Sequence, residues 1–373
     1  MKTILSLLLL PVALLCSAQL PQKAIDVDLP KMYQEVDEAI DQSPKYVHQY
    51  EENIDQAKQN YREAENDEQR LLALMQVCNL YQGFNGDSAL AYSLHCVDFA
   101  RKLGLAEIEA DYQAHSAYLC TFLGSQTEAL TLLGHIDRTK LSSEGVGIYF
   151  RACLTAYEML ADNCKTPELQ KSFRQQYYAY RDSLLNSVPE ESELYYFYRE
   201  DQLIKEGKLQ QALKMNDQRL NQATPNSHED AIIAYSRYRI YQKQGDRQLA
   251  LYWLCRSALA DIRNSVMDQM SLISLAKELD ADGDSERASR YISYTWESNR
   301  KFSPNMRSWQ IAPLLSAIEN NFQRKLDEKN HQFVIYTICS SSLVLLLIII
   351  ILYSRYQRKK EKSIRANNDE CCS

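Results

Sequence analysis

The chain has 373 residues with 42 basic and 49 acidic side chains, a net charge of −7. No polyanion-binding surface runs through its bulk, so nucleic acid is not an expected partner. Apolar residues at 45% and charged residues at 24% are globular values, and only ten glycines replace the roughly 26 of average usage, which disfavours sheet-rich and dinucleotide-binding folds and leaves an all-α expectation.

At the N-terminus, MKTILSLLLLPVALLCSAQ places Lys2 before an apolar stretch and small residues before Gln19. Residues 1–18 therefore read as a signal peptide, with a lipid-modified Cys16 as the alternative. Residues 19–74 follow as an N-terminal helical region. No proline occurs between Pro44 and Pro167, which is compatible with long helices.

A repeat occupies residues 75–303. Gly207, Gly245 and Gly283 are 38 residues apart, and each is followed five residues on by alanine: Ala212, Ala250 and Ala288. Gly86 and Gly124 repeat the spacing, with Ala91 and Ala129 at the fifth place. Glycine ends a helix in the left-handed conformation at little steric cost. The alanine is expected where two antiparallel helices come closest. Helix hairpins of this kind bury their faces only by stacking. The interval from Gly124 to Gly207 breaks the phase, so one unit there is irregular.

After Pro304 and Pro313, Leu315, Ile318, Phe322 and Leu326 form an amphipathic stripe in a juxtamembrane helix over 304–332. The segment 333–353, FVIYTICSSSLVLLLIIIILY, is uncharged. At 1.5 Å per residue it spans about 31 Å, the thickness of a bilayer core. No glycine or proline interrupts the run between, which predicts one continuous helix from about Pro313 to about Tyr353. Arg355, Arg358, Lys359 and Lys360 follow at once, so residues 354–373 are expected as a short cytoplasmic tail that anchors on anionic lipid. The predicted topology is a single pass of a bacterial inner membrane, the N-terminal domain periplasmic and the C-terminus cytoplasmic.

The glycine-to-alanine pattern, with Tyr241 four residues before Gly245, resembles the tetratricopeptide repeat, although Gln82, Cys120, Leu203 and Leu279 stand at the aromatic place elsewhere. The resemblance implies an all-α superhelix of helical hairpins, here joined to one C-terminal transmembrane helix. The run SALADIRNSVMDQMSLISLAKELDADGDSERASRYI, together with the leader and the repeats, is similar to a bacterial family of membrane-anchored proteins of undetermined function, often described as transcriptional regulators. That family carries a long cytoplasmic helix and a further domain after the membrane segment. Only twenty residues follow Tyr353 here, so this copy is expected to lack the output domain and not to bind DNA directly.

Chemistry-bearing motifs are sparse. No HExxH, P-loop or GxSxG occurs, and no pair of the six histidines has ligand spacing. No metal, no cofactor and no enzyme activity are expected. Cys78, Cys96, Cys120, Cys153, Cys164 and Cys255 read as small buried hydrophobes, with one disulfide, Cys153 to Cys164, left open. Tyrosine is abundant at 25 residues. QQYYAYRDSLL and ELYYFYREDQL place Tyr177, Tyr180, Tyr195 and Tyr198 as candidate ligand contacts, since tyrosine offers apolar area with a hydrogen-bonding tip. Tyrosine as a substitute for phenylalanine in helix seams is the competing reading. The expected partners are a periplasmic protein or peptide, membrane lipid through 333–353, and a second copy of the chain. The expected function is non-catalytic recognition; the alternative is a transmembrane regulator that couples a periplasmic signal to a cytoplasmic partner.

Overall fold

The computed structural model describes residues 27–303 and 308–371, with side chains described to Lys362 apart from 308–310. The leader 1–18 with Cys16, Pro304 and Cys372 lie outside the described residues. All regular structure among the described residues is helical. A long α1 (Leu29–Glu63) precedes six hairpins: α2 (Asp67–Gln82) with α3 (Gly86–Leu103), α4 (Ala106–Phe122) with α5 (Gln126–His135), α6 (Ser143–Asn163) with α7 (Pro167–Ser187), α8 (Glu193–Lys205) with α9 (Leu209–Gln222), α10 (His228–Gln244) with α11 (Arg247–Arg263), and α12 (Met270–Asp282) with α13 (Ser285–Phe302). The helix α14 (Ser308–Cys371) closes the order. The first hairpin opens at Asp67, ahead of the expected residue 75.

Four hairpin turns follow the glycine rule. Gly124, Gly207, Gly245 and Gly283 have φ of +75° to +87°, the left-handed region that costs a residue with a Cβ. At Gly245 the reversal is sealed by its N–H donating to Gln242 O and the Asp246 N–H to Tyr241 O. The Asp246 carboxylate then caps α11 by accepting from Leu249 N–H at 3.1 Å. The alanines Ala129, Ala212 and Ala288 have no exposed surface and Ala250 has 4%, as expected for the helix–helix seam.

The first hairpin corrects that reading in its register. Gly86 does not end a helix. It is the first residue of α3, after the cap Asn85, and Ala91 is exposed. The seam alanine is Ala89, with no exposed surface. It stands four residues after the cap, as Ala250 does after Asp246. Gly86 is glycine for a different reason: a Cβ there would lie 2.7 Å from Phe302 Cε1 and 2.8 Å from Leu123 Cδ2. The irregular unit is α6–α7, whose turn has no glycine and starts α7 with Pro167, where a missing N–H costs nothing.

The array curls until its ends meet. The first half of α1 lies on the last hairpins: Arg287 pairs with Asp37, Arg290 with Asp41, and Tyr291 OH donates to Tyr33 O. Its second half lies on the first hairpin, where Tyr50 OH donates to Leu80 O at 2.8 Å. Beside this strap the chain closes directly. Asn85 Nδ2 donates to Lys301 O at 2.8 Å, Ser303 Oγ to Asp87 Oδ1 at 3.1 Å, and Met267 N–H to Gly83 O at 2.8 Å.

The largest apolar cluster runs from α8 through α14 and takes in α1 by Val36 and Ala39. Smaller clusters serve the middle of the chain. Of the expected stripe, Leu315 and Ile318 join the large cluster, with Ile311 and Ile318 each 1% exposed and Leu314 beside them, whereas Phe322 lies outside it and Leu326 is 40% exposed. Glu319 accepts from Ser289 and Ser293, and Lys325 donates to Gly283 O at 2.8 Å. From Leu326 to Tyr356 the helix is exposed. It continues without a break through 333–353, and it is, among the described residues, the one helix long and apolar enough to cross a membrane, with none of its apolar window buried. The helix is longer at both ends than the expected Pro313–Tyr353.

Candidate functional site

The tyrosines singled out from sequence divide into two kinds. Tyr177, 2% exposed, and Tyr198, 6% exposed, sit with Leu154 and Leu184 in the core between α6, α7 and α8. Rings buried to that degree present no face to a groove. Lys205 Nζ donates to Tyr177 OH at 2.9 Å and lies 4.9 Å from the ring centre, which ties the seam rather than opening it. Tyr180 and Tyr195 keep partly exposed rings. Tyr180 stacks on Tyr157 at 5.5 Å, and Tyr195 meets Tyr196 edge-on at 6.5 Å. The four residues thus form no common surface.

One of them leads to a different constellation. The guanidinium of Arg151 on α6 interacts electrostatically with the hydroxyls of Tyr198 on α8 and Tyr118 on α4. The Arg151 guanidinium carbon lies 4.2 Å from the Tyr118 ring centre, a cation–π contact. Its Nε is buried without a hydrogen-bond partner. Across the curl, His228 Nδ1 lies 2.9 Å from Asp261 Oδ1, and Asp261 Oδ2 accepts from Ser271 Oγ at 3.2 Å. Asp268 raises the pKa of both Tyr118 and Asp261, so its charge is felt on both sides of the interior.

The electrostatics follow from burial. Desolvation pushes the Tyr118 and Tyr198 phenols up, so both remain hydroxyls. It also pushes the Asp261 carboxyl up, against the pull of His228. The His228 imidazole is desolvated too, yet the Asp261 hydrogen bond and charge leave it raised. Half of the His228 side-chain surface remains accessible. The cluster therefore offers guanidinium and hydroxyl donors on α4, α6 and α8, and carboxylate acceptors on α11 and the loop after it. It contains no nucleophile with an activating base, and no group of metal-ligating side chains occurs among the described residues. Sequence reasoning passed over Arg151. The available signal was a lone cation within the apolar run GIYFRACLTAY, where an unpaired charge is costly.

The cysteines are free thiols among the described residues, Cys153 and Cys164 included. Cys78, Cys96, Cys120, Cys153 and Cys255 are buried. Burial raises the Cys78 and Cys153 thiols to about 12, which keeps them protonated and unreactive.

The family model described as the SusR N-terminal TPR domain matches residues 40–313. The chain belongs to this family. The match takes in most of α1, all six hairpins and the start of α14, and the tetratricopeptide resemblance read from the glycine spacing is thereby shown. Among curated proteins nothing matches the chain. Members of tetratricopeptide families are helical-repeat scaffolds for protein interaction, so this chain is an interaction scaffold of that class.

Proposed function

We propose that this protein is a membrane-anchored, non-catalytic recognition module. Its helical body lies on the periplasmic side and binds a peptide or small polar ligand on the interior face, where His228 keeps half of its side-chain surface accessible. The observation that carries the reading is α14. One helix runs from a stripe packed on the last hairpin into a fully exposed apolar segment, and basic residues follow. An apolar segment with no protein cover is costly in water and at home in lipid. Reporters active only in the cytoplasm, fused after Lys362, give signal, and the same reporters fused at Asn320 stay silent; the reverse pattern sinks the topology. For the interior, a photo-cross-linking residue at Thr155, beside Tyr198, captures ligand, whereas one at the exposed Leu169 on α7 captures none. Equal capture at both positions removes the interior site.

The same continuity favours a second reading. A rigid helix transmits tilt or rotation where a loose linker does not, so the module acts as the sensing half of a transmembrane regulator that signals to a cytoplasmic partner.

A further inference from the structure

We propose that the seam between the α2–α3 turn and the end of α13 is a releasable latch, and that its opening is passed to α14 as a change in the set of that helix. The inference rests on the regulator reading for its use, but not for its mechanics.

Three observations carry it. First, the seam is built lightly. Its closing bonds are Asn85 Nδ2 to Lys301 O, Ser303 Oγ to Asp87 Oδ1 and Met267 N–H to Gly83 O, the first of them solvent-exposed. Behind them lies the small cluster of Met267 and Phe302 with Val47 of α1, Phe84, Phe122 and Leu123. Regions with few buried apolar contacts and exposed hydrogen bonds open at a fraction of the global unfolding cost. The large cluster on the other side of α13 has no such weakness.

Second, α13 is shared. One end supplies Lys301 and Phe302 to the seam. Its length carries α14, through Ser289 and Ser293 on Glu319 and through Ile292 against the Ile311 and Ile318 cluster. Asn321 Nδ2 to Asp280 at 3.0 Å and Lys325 to Gly283 O fix α14 to the turn before α13. Helices α13 and α14 therefore move as one body. With the seam open, the strap α1 is the remaining tie between the first and last hairpins, so it becomes the axis about which that body swings.

Third, the latch adjoins the interior cluster. Met267, whose N–H closes on Gly83 O, is the chain neighbour of Asp268, whose charge acts on Tyr118 and Asp261. Gly86 adds a steric reason for a tight, two-position seam: Phe302 and Leu123 occupy the space where any Cβ at that residue would go. Packed contacts of this sort are made or broken rather than stretched.

The test uses the full chain in lipid nanodiscs, with amide hydrogen exchange as the readout. Asn85→Asp with Ser303→Ala removes the two side-chain bonds of the seam, keeps an acceptor for the Ser88 N–H that caps α3, and leaves the cores intact. Exchange should rise by about tenfold in residues 83–90, the effect expected for two lost hydrogen bonds, and should rise together with it in residues 311–325. Residues 228–263 serve as the control and stay protected. In the opposite direction, Asp87→Cys with Ser303→Cys, oxidised, slows exchange at both places, and reductant restores it. Faster exchange in 83–90 with 311–325 unchanged overturns the proposal, as does an oxidised pair that protects 83–90 alone. Both readouts are independent of any ligand and of which face of the membrane the body occupies, so a failed topology experiment leaves this result standing and the converse also holds.

Discussion

The last three hairpins and the α6–α7 hairpin solve the same packing problem differently. From α8 to α13 every hairpin turn has a left-handed glycine, and the helices share one apolar cluster. The buried charges there are paired. Glu200, with no exposed side-chain surface, takes Arg219 at 2.8 Å and Asn216 at 2.9 Å, and Arg237 joins through Asn216 at 2.6 Å. In α6–α7 the turn has no glycine, the core is a small cluster of its own, and tyrosines bridge its wet edges. Its ion pair, Arg174 with Asp162, is well exposed on both sides. A glycine turn alone does not fuse cores, since α4–α5 turns on Gly124 yet packs with α6 in a small cluster. Where three glycine-turned hairpins follow one another their faces merge, and the hairpin without such a turn relies on amphipathic rings.

The widest separation between the regions should come from charge. Glu200→Ala takes one of its two carboxylate partners from the buried Arg219, leaving Glu193, and should cost about 1.5–3 kcal/mol in denaturant unfolding, whereas Arg174→Ala should stay within about 0.5 kcal/mol. Equal costs would erase the distinction between the tied core and the wet one.

A pH experiment comes next. His115 on α4 is held down to about 4 by desolvation and then by the Arg151 charge. The unfolded chain binds this proton more tightly than the folded one, so the group's contribution is fully present above about pH 6.5 and is lost as pH falls toward 4, about 3 kcal/mol in all. His115→Gln should flatten that acid limb of the stability profile. His228, whose pKa is raised by Asp261, has the opposite sign: its contribution is present below the unfolded pKa and fades as pH climbs. A profile unchanged by His115→Gln would refute the assignment.

Smaller effects test the register. Ala89→Leu should overpack the first seam by about 1–3 kcal/mol, while Ala91→Leu, on the exposed face, should be near neutral. Ala288→Leu should cost more than Ala250→Leu, because Ala250 borders a groove of ≈ 220 Å³ with Tyr238 and Glu278 that can receive part of the added side chain. The mildest change isolates the turns. Gly245→Ala meets no atom within 4 Å, so its cost is backbone strain alone, about 1–2 kcal/mol, and thermal melting should show it. Pro167→Ala, at a turn that needs no left-handed residue, should shift the melt less.

Much of this was legible in the order of residues. Gly207, Gly245 and Gly283 announce their turns because one backbone angle excludes most other residues, and Ala212 and Ala288 announce their seams because one distance excludes larger ones. Phe333–Tyr353 is legible by length and lack of charge. The strap was not: Asp37 and Arg287 are ordinary surface charges until the curl joins them across 250 positions. Gly86 misled for a related reason, since its small size answers to Phe302, far along the chain, and not to its own turn. Tyr177 and Tyr198 fell on the buried side because tyrosine patterns alike whether its hydroxyl meets a ligand or a lysine. Arg151 gains its meaning from Tyr118 and Tyr198, which no local pattern connects.

The exposed helical stretch 326–332 acts as a stand-off. With 333–353 in a bilayer, seven residues hold the body roughly 10 Å above the hydrocarbon edge, close to the screening length of about 8 Å in physiological salt. An acidic body at that height is largely hidden from the charge of anionic headgroups, so its orientation is set by the helix and not by attraction to or repulsion from the lipid surface. The same stretch is a rotational gear. Four added residues would lift the body about 6 Å and turn it about 40°, whereas seven would lift it further and bring it back to within about 20° of its original facing.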